Sequence, residues 1–176
     1  MFFSNKKKIK KRRENLCREA EIFIQVHFVR ERNSDHYKFN TLSLKSDPDR
    51  DKVIEWYDAH DNPESYSEIV CAYFKDSKKD ENTICERMLL DKNYFSKLEN
   101  SLNYRPSKGE AVIVCFAFHL SYESARALLK SADYALTNSE KSDLIIRYFL
   151  ENKNYNINDL NYVLGKICDI KLKDII

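Results

Sequence analysis

Residues 85–107 read CERMLLDKNYFSKLENSLNYRPS, and their spacing decides the fold. Small or apolar residues stand at Cys85, Met88 and Leu90, a capping Asp91 follows, and apolar positions resume at Phe95 and Leu98. Pro106-Ser107 then stops one segment and opens the next. Apolar residues three and four apart, cut by an Asp and then by a Pro-Ser, predict two short helices packed across a tight turn, with a third helix behind them.

Outward from that stretch the helical signals continue. Ser65 caps a helix carrying Ile69, Val70, Tyr73 and Phe74, and Thr83–Met88 and Asp91–Asn100 form the crossed pair. Ser107 caps Lys108–Leu120, whose dense apolar content marks it as the central core helix. Ser121 caps the next, with Ala125, Leu128, Leu129 and Ala132 on one side. Thr137 and Glu140 read as a capping box for Ser139–Glu151. Asn156–Gly165 forms a last short helix, with Gly165 as its closing residue.

The first 64 residues are less regular. Ile22–Val29 (IFIQVHFV) alternates Ile22, Ile24, Val26 and Phe28, and Tyr37, Phe39, Leu42 and Leu44 follow a polar turn. That suits a β-hairpin, the reading adopted, although the first run also suits a helix continued from Lys10. Lys45–Arg50 (KSDPDR) is a loop, and Asp51–His60 has helical spacing at Val53, Ile54, Trp56 and Tyr57. The expected organisation is a basic arm and helix over 1–20, an accessory segment over 21–64 and a helical domain over 65–176. The fold class is mainly α, a helical bundle with a small N-terminal segment.

With only two glycines and three prolines among 176 residues, sheet-rich folds and glycine-cradled phosphate sites are disfavoured. A mean hydropathy of −0.63 goes with a water-exposed chain. The longest apolar run, Ala111–Phe118, is far short of the ~20 residues a membrane helix needs. Five cysteines (Cys17, Cys71, Cys85, Cys115, Cys168) without a CxxC pair suggest free thiols in a cytoplasmic protein.

Charge is more telling in its distribution than in its net value of +2. Lys6, Lys7, Lys8, Lys10, Lys11, Arg12 and Arg13 fall within KKKIKKRR; without these seven, 23 basic residues face 28 acidic, about −5. Residues 65–120 hold eight of each sign. The basic tract is either a solvated tail or an electrostatic arm for a nucleic-acid backbone or an acidic protein groove.

No enzyme constellation stands out, and no cofactor or metal site is expected. His27, His36, His60 and His119 are scattered without i,i+4 pairing. Asp58, His60 and Asp61 cluster at a helix end, where surface decoration is the usual role. Neither Cys17 nor Cys85 lies in a sequence that activates a thiolate.

Residues 83–121 resemble the Xre/Cro repressor family of helix-turn-helix proteins. Cys85 takes the place of the small residue of its first helix, and Met88 and Leu90 its apolar pair at the turn. Asp91 stands at the cap of the recognition helix, Phe95 and Leu98 at its buried positions. Glu99-Asn100 matches the family's helix end, and Pro106-Ser107 the start of the next helix. Leu89 replaces the usual turn glycine, which a positive-φ turn would strain by about 1 kcal/mol. Residues 65–164 are also similar to helical domains of bacterial proteins, some of them next to macro domains.

The resemblance implies a bacterial or phage regulator that places 91–100 in the major groove of double-stranded DNA. Lys92, Asn93, Tyr94, Ser96 and Lys97 would face bases, with Asn100, Asn103, Tyr104 and Arg105 near phosphates. It also implies a homodimer, for which Phe23, Phe28, Trp56 and Tyr57 are candidate contacts. The alternative partner is a protein or ribonucleoprotein, the chain then being an antitoxin or a blocker of a nuclease such as a CRISPR effector. Charge around Lys92 and Lys97 discriminates: Glu86, Glu99 and Glu110 gathered there would oppose DNA binding.

Overall fold

A computed structural model of the chain describes residues 2–29, 65–77, 90–91, 93–101 and 104–175. Those residues are mostly helical: α1 (Phe2–His27), α2 (Tyr66–Ser77), α3 (Tyr94–Asn100), α4 (Lys108–Ala117), α5 (Tyr122–Ser131), α6 (Lys141–Glu151), α7 (Ile157–Ile167) and a 3-10 turn at Leu172–Asp174. Among the described residues there is no strand. The expected helices Thr83–Met88 and Asp51–His60, the turn at Leu89, and the second strand at 37–44 lie outside them.

The core forms where α4 and α6 bury almost every side chain. Ala111–Ala117 is buried without a break, and so are Leu144, Ile145, Ile146, Phe149 and Leu150. Around them α5 packs on α4, α6 and α2; α7 on α6 and the 3-10 turn; and α2 on α3. α1 lies across α6 and α7.

The first expected strand is corrected to helix. Ile22–His27 continues α1, because the side chains that meet the body follow the helical period: Leu16, Cys17, Ala20, Phe23 and Ile24. The strand-like alternation was incidental, since Ile22 and Val26 are 60% and 71% exposed on the outer face. α1 thus runs through the expected boundary at 20/21. Phe23 and Phe28 pack against the core instead of standing free for a dimer contact, while Trp56 and Tyr57 lie outside the described residues.

Helix starts follow the sequence closely. Ser107 and Glu110 form a capping box, Ser65 and Glu68 exchange the same two bonds, and the side chains of Ser121 and Asn156 accept from Ser124 N and Asp159 N. Two starts are corrected. The helix expected over Asp91–Asn100 begins at Tyr94, with Asn93 and not Asp91 at its N-cap position and no side-chain cap bond. The other is the start expected at Ser139. Thr137 donates its N–H (2.8 Å) and hydroxyl (3.2 Å) to Asp143, not to Glu140, and the helix begins at Lys141. Asp143 is the better acceptor because it is buried and held 2.6 Å from Lys108 Nζ.

Helix ends depart from expectation. Gly165 lies inside α7, which runs to Ile167. The left-handed position after it belongs to Asp169 (φ 57°). Likewise His119, Asp133 and Lys153 take positive φ after α4, α5 and α6. At the ends of α4, α5 and α6 the next residue donates back: Leu120 N to Cys115 O, Tyr134 N to Leu129 O and Asn154 N to Phe149 O. These are Schellman closures made without glycine.

Candidate nucleic-acid interface

The basic tract is neither a free tail nor part of the body. It forms the first turns of α1, a segment without Gly or Pro and rich in helix-favouring Lys and Arg. All side chains from Asn5 to Arg12 are exposed, and from Asn5 onward the first residue of α1 packed against the core is Leu16. The basic turns therefore stand clear of the bundle.

Their base is fastened. Asp159, in the first turn of α7 and 2% exposed, accepts from Arg12 Nη2 and, at 2.9 Å, from Arg13 Nε. Arg13 also lies over the Tyr162 ring at 5.2 Å. Beyond this anchor Lys10 is 4.0 Å from Glu14, an exposed i,i+4 pair of the weak kind. Lys6, Lys7, Lys8 and Lys11 have no carboxylate partner among the described residues. Nothing in the local pattern announced the Asp159 anchor beyond an acidic residue in a helix's first turn.

The expected recognition helix is different in character. α3 is seven residues long, and it buries Tyr94, Phe95 and Leu98. Tyr94 is therefore corrected from a base-facing to a core residue: it is 1% exposed, its hydroxyl 2.7 Å from that of Tyr66. Burial pushes both phenols above their usual range. Phe95 packs on Phe74 with ring centroids 4.3 Å apart.

The exposed side of α3 carries Asn93, Ser96, Lys97, Glu99 and Asn100. Lys97 Nζ is 2.7 Å from Asp91 Oδ2, and Asn93 N–H donates to Asp91 Oδ1 at 2.9 Å. The Lys97 ammonium and that N–H hold the Asp91 carboxyl below its ordinary range. Asn100 Nδ2 donates to its own helix at Ser96 O, 2.7 Å. Arg105 stands next to Asp133 at 3.5 Å, both largely exposed. Glu110 does not face Lys97; it closes the cap of α4 through Ser107 N–H. Lys92, Asn103 and Glu86 lie outside the described residues. Among the described residues of this surface Asp91 and Glu99 outnumber Lys97, and Lys97 is already paired with Asp91.

α1 packs against α6 and α7, whereas α3 packs against α2, so the two candidate surfaces are built on different parts of the bundle. Burial raises the thiols of Cys17, Cys71 and Cys168, and pushes that of Cys115 up to about 12. Cys85, His36, His60, Asp58 and Asp61 lie outside the described residues. His27 bonds Phe23 O through Nδ1 at 2.9 Å, and His119 stacks on Tyr155 at 4.6 Å. Among the described residues no group of three His, Cys, Asp or Glu is gathered as metal ligands, and no helix is long and apolar enough to cross a membrane.

No protein-family model matches the chain, and no curated protein or solved structure is significantly similar to it.

Proposed function

We propose that the protein is a bacterial or phage regulatory protein that binds double-stranded DNA, gripping it with the basic turns of α1. The observation that carries this reading is the set of exposed lysines, Lys6, Lys7, Lys8 and Lys11, on a helix fastened at its base by Asp159. Such charges displace condensed counterions from DNA, a favourable term that is independent of sequence.

Fluorescence anisotropy with a mixed-sequence duplex tests it. Neutralising about five phosphates gives a slope of about −4.5 in log K against log salt, so a fourfold rise in salt weakens binding roughly 500-fold. Changing Lys6, Lys7, Lys8 and Lys11 to Gln should remove about 3.6 of that slope. An unchanged slope in this variant sinks the reading.

One observation favours a second reading, a protein-binding inhibitor that uses α3 as its contact surface. Lys97 is already paired with Asp91 and Glu99 stands beside it, a surface better suited to protein than to phosphate. That reading is preferred if the full chain binds no DNA at low salt.

A further inference from the structure

The distribution of charge around α1 carries more than its amount. At about 100° per residue, basic side chains separated by four positions form rows along a helix. Lys6 and Lys10 make one row, Lys7 and Lys11 a second, and Lys8 and Arg12 a third. The first and third lie roughly 160° apart, on opposite flanks, with the second between them. The remaining side carries Asn5 and Ile9, and Ile9 extends the line of Leu16, Ala20 and Ile24 by which α1 meets the body.

A helix resting on a single phosphate strand needs charge on one side only. Charge on two opposite flanks fits a helix lying between two phosphate walls. We infer that the Lys6–Lys11 turns of α1, ahead of the Arg12 anchor, seat in the major groove of B-form DNA, with Lys6 and Lys10 toward one strand's phosphates and Lys8 toward the other's. This rests on the DNA-binding reading above.

The dimensions agree. An α-helix with its side chains is about 10–12 Å across and the B-DNA major groove is about 12 Å wide, whereas the minor groove is about 6 Å. The major groove of duplex RNA is too narrow and deep to admit a helix. A single strand is usually held by aromatic stacking, and no aromatic residue lies between Lys6 and Arg13. Asp159 fixes the helix in direction, through Arg12 and Arg13, where it leaves the bundle.

The test uses the full chain and a labelled duplex, with methyl green as a major-groove competitor and netropsin as a minor-groove competitor. Methyl green should displace the protein and netropsin should not. Lys6→Gln/Lys10→Gln should reduce the salt slope by about 1.8 and Lys8→Gln by about 0.9. These lysines are exposed, so circular dichroism should show unchanged helicity in every variant. If only one flank changes the slope, the helix lies on a single strand and the inference falls. It falls equally if netropsin displaces the protein, or if duplex RNA or single-stranded DNA binds as tightly as duplex DNA. Failure to bind any nucleic acid removes the proposed function and this seat with it; binding to duplex DNA without these signatures removes the seat alone.

Discussion

Replacing Asp159 by Asn tests the anchor and the grip together. The carboxylate is 2% exposed and takes one hydrogen bond from each of two guanidinium groups. Bonds of this type contribute about 1.5–3 kcal/mol each when both partners are buried. Here Arg12 and Arg13 keep 56% and 29% of their side-chain exposure, so both regain water on release and the contribution shrinks. Asn preserves the volume and one acceptor, and the cap from Asn156 reaches the backbone N–H of residue 159 and is untouched. The favourable position of an anion in the first turn of α7 is lost, about 0.5 kcal/mol. We expect a loss of about 2 kcal/mol, read as a shift in urea midpoint at constant m, and a Tm lower by about 4–8 °C. α1 remains docked through Leu16, Ala20, Phe23 and Ile24, while two cations are released toward DNA. The salt slope should therefore steepen, by up to about 1.8, even as stability falls. A stability loss below about 0.5 kcal/mol would show an ordinary surface pair, and a shallower slope would show that the two arginines already contact phosphate in the wild type.

Two further outcomes concern the bundle. A Cβ at Gly109 would sit 2.2 Å from the Leu172 carbonyl oxygen, so Gly109→Ala must push away the segment that buries Leu172 and accepts Gly109 N–H at Ile175 O. Urea denaturation should show a loss of about 2–4 kcal/mol in the full chain and none once residues 171–176 are deleted, where Ala is the better helix former; equal stabilities in the full chain would refute the contact. Lys108→Met leaves the 1%-exposed carboxylate of Asp143 without its cation and should cost about 3–5 kcal/mol, most of it regained in Lys108→Met/Asp143→Leu. A single substitution costing under 1 kcal/mol would mean that water reaches Asp143.

What the sequence revealed divides by range. Ser107 with Glu110, Ser121 and Asn156 were readable as helix starts because a cap and its N–H lie within three residues. The helix ends were not, since His119, Asp133 and Lys153 occupy left-handed positions that glycine usually announces. Thr137 misled because Asp143 competes with Glu140 for the same donors, and burial beside Lys108 decides that contest. Ile22–Phe28 satisfied both a strand and a helix period, and only the surface offered by α6 and α7 selects between them. Tyr94 looked like a face residue until its buried partner Tyr66, 28 positions away, was known. The Arg12–Asp159 contact spans 147 positions, beyond any local pattern. The lysine rows were present in the sequence, but they acquire meaning only on a helix that stands clear of its body.

That separation also explains why net charge was a poor guide. The chain outside the tract is acidic by about five charges, and a compact mixture of tract and body would show DNA a nearly neutral surface. Lys6 lies about 9 Å along the helix axis from Arg12, six residues at 1.5 Å each. The screening length at physiological salt is about 8 Å. Lys6, Lys7 and Lys8 thus lie about 6–9 Å beyond the level at which Asp159 pairs with Arg12 and Arg13, comparable to the screening length. Their attraction for phosphate survives, while the acidic body opposes close approach of the duplex to the rest of the protein. A tip that attracts and a body that repels favour end-on entry of α1, the orientation in which opposite lysine rows can meet opposite strands.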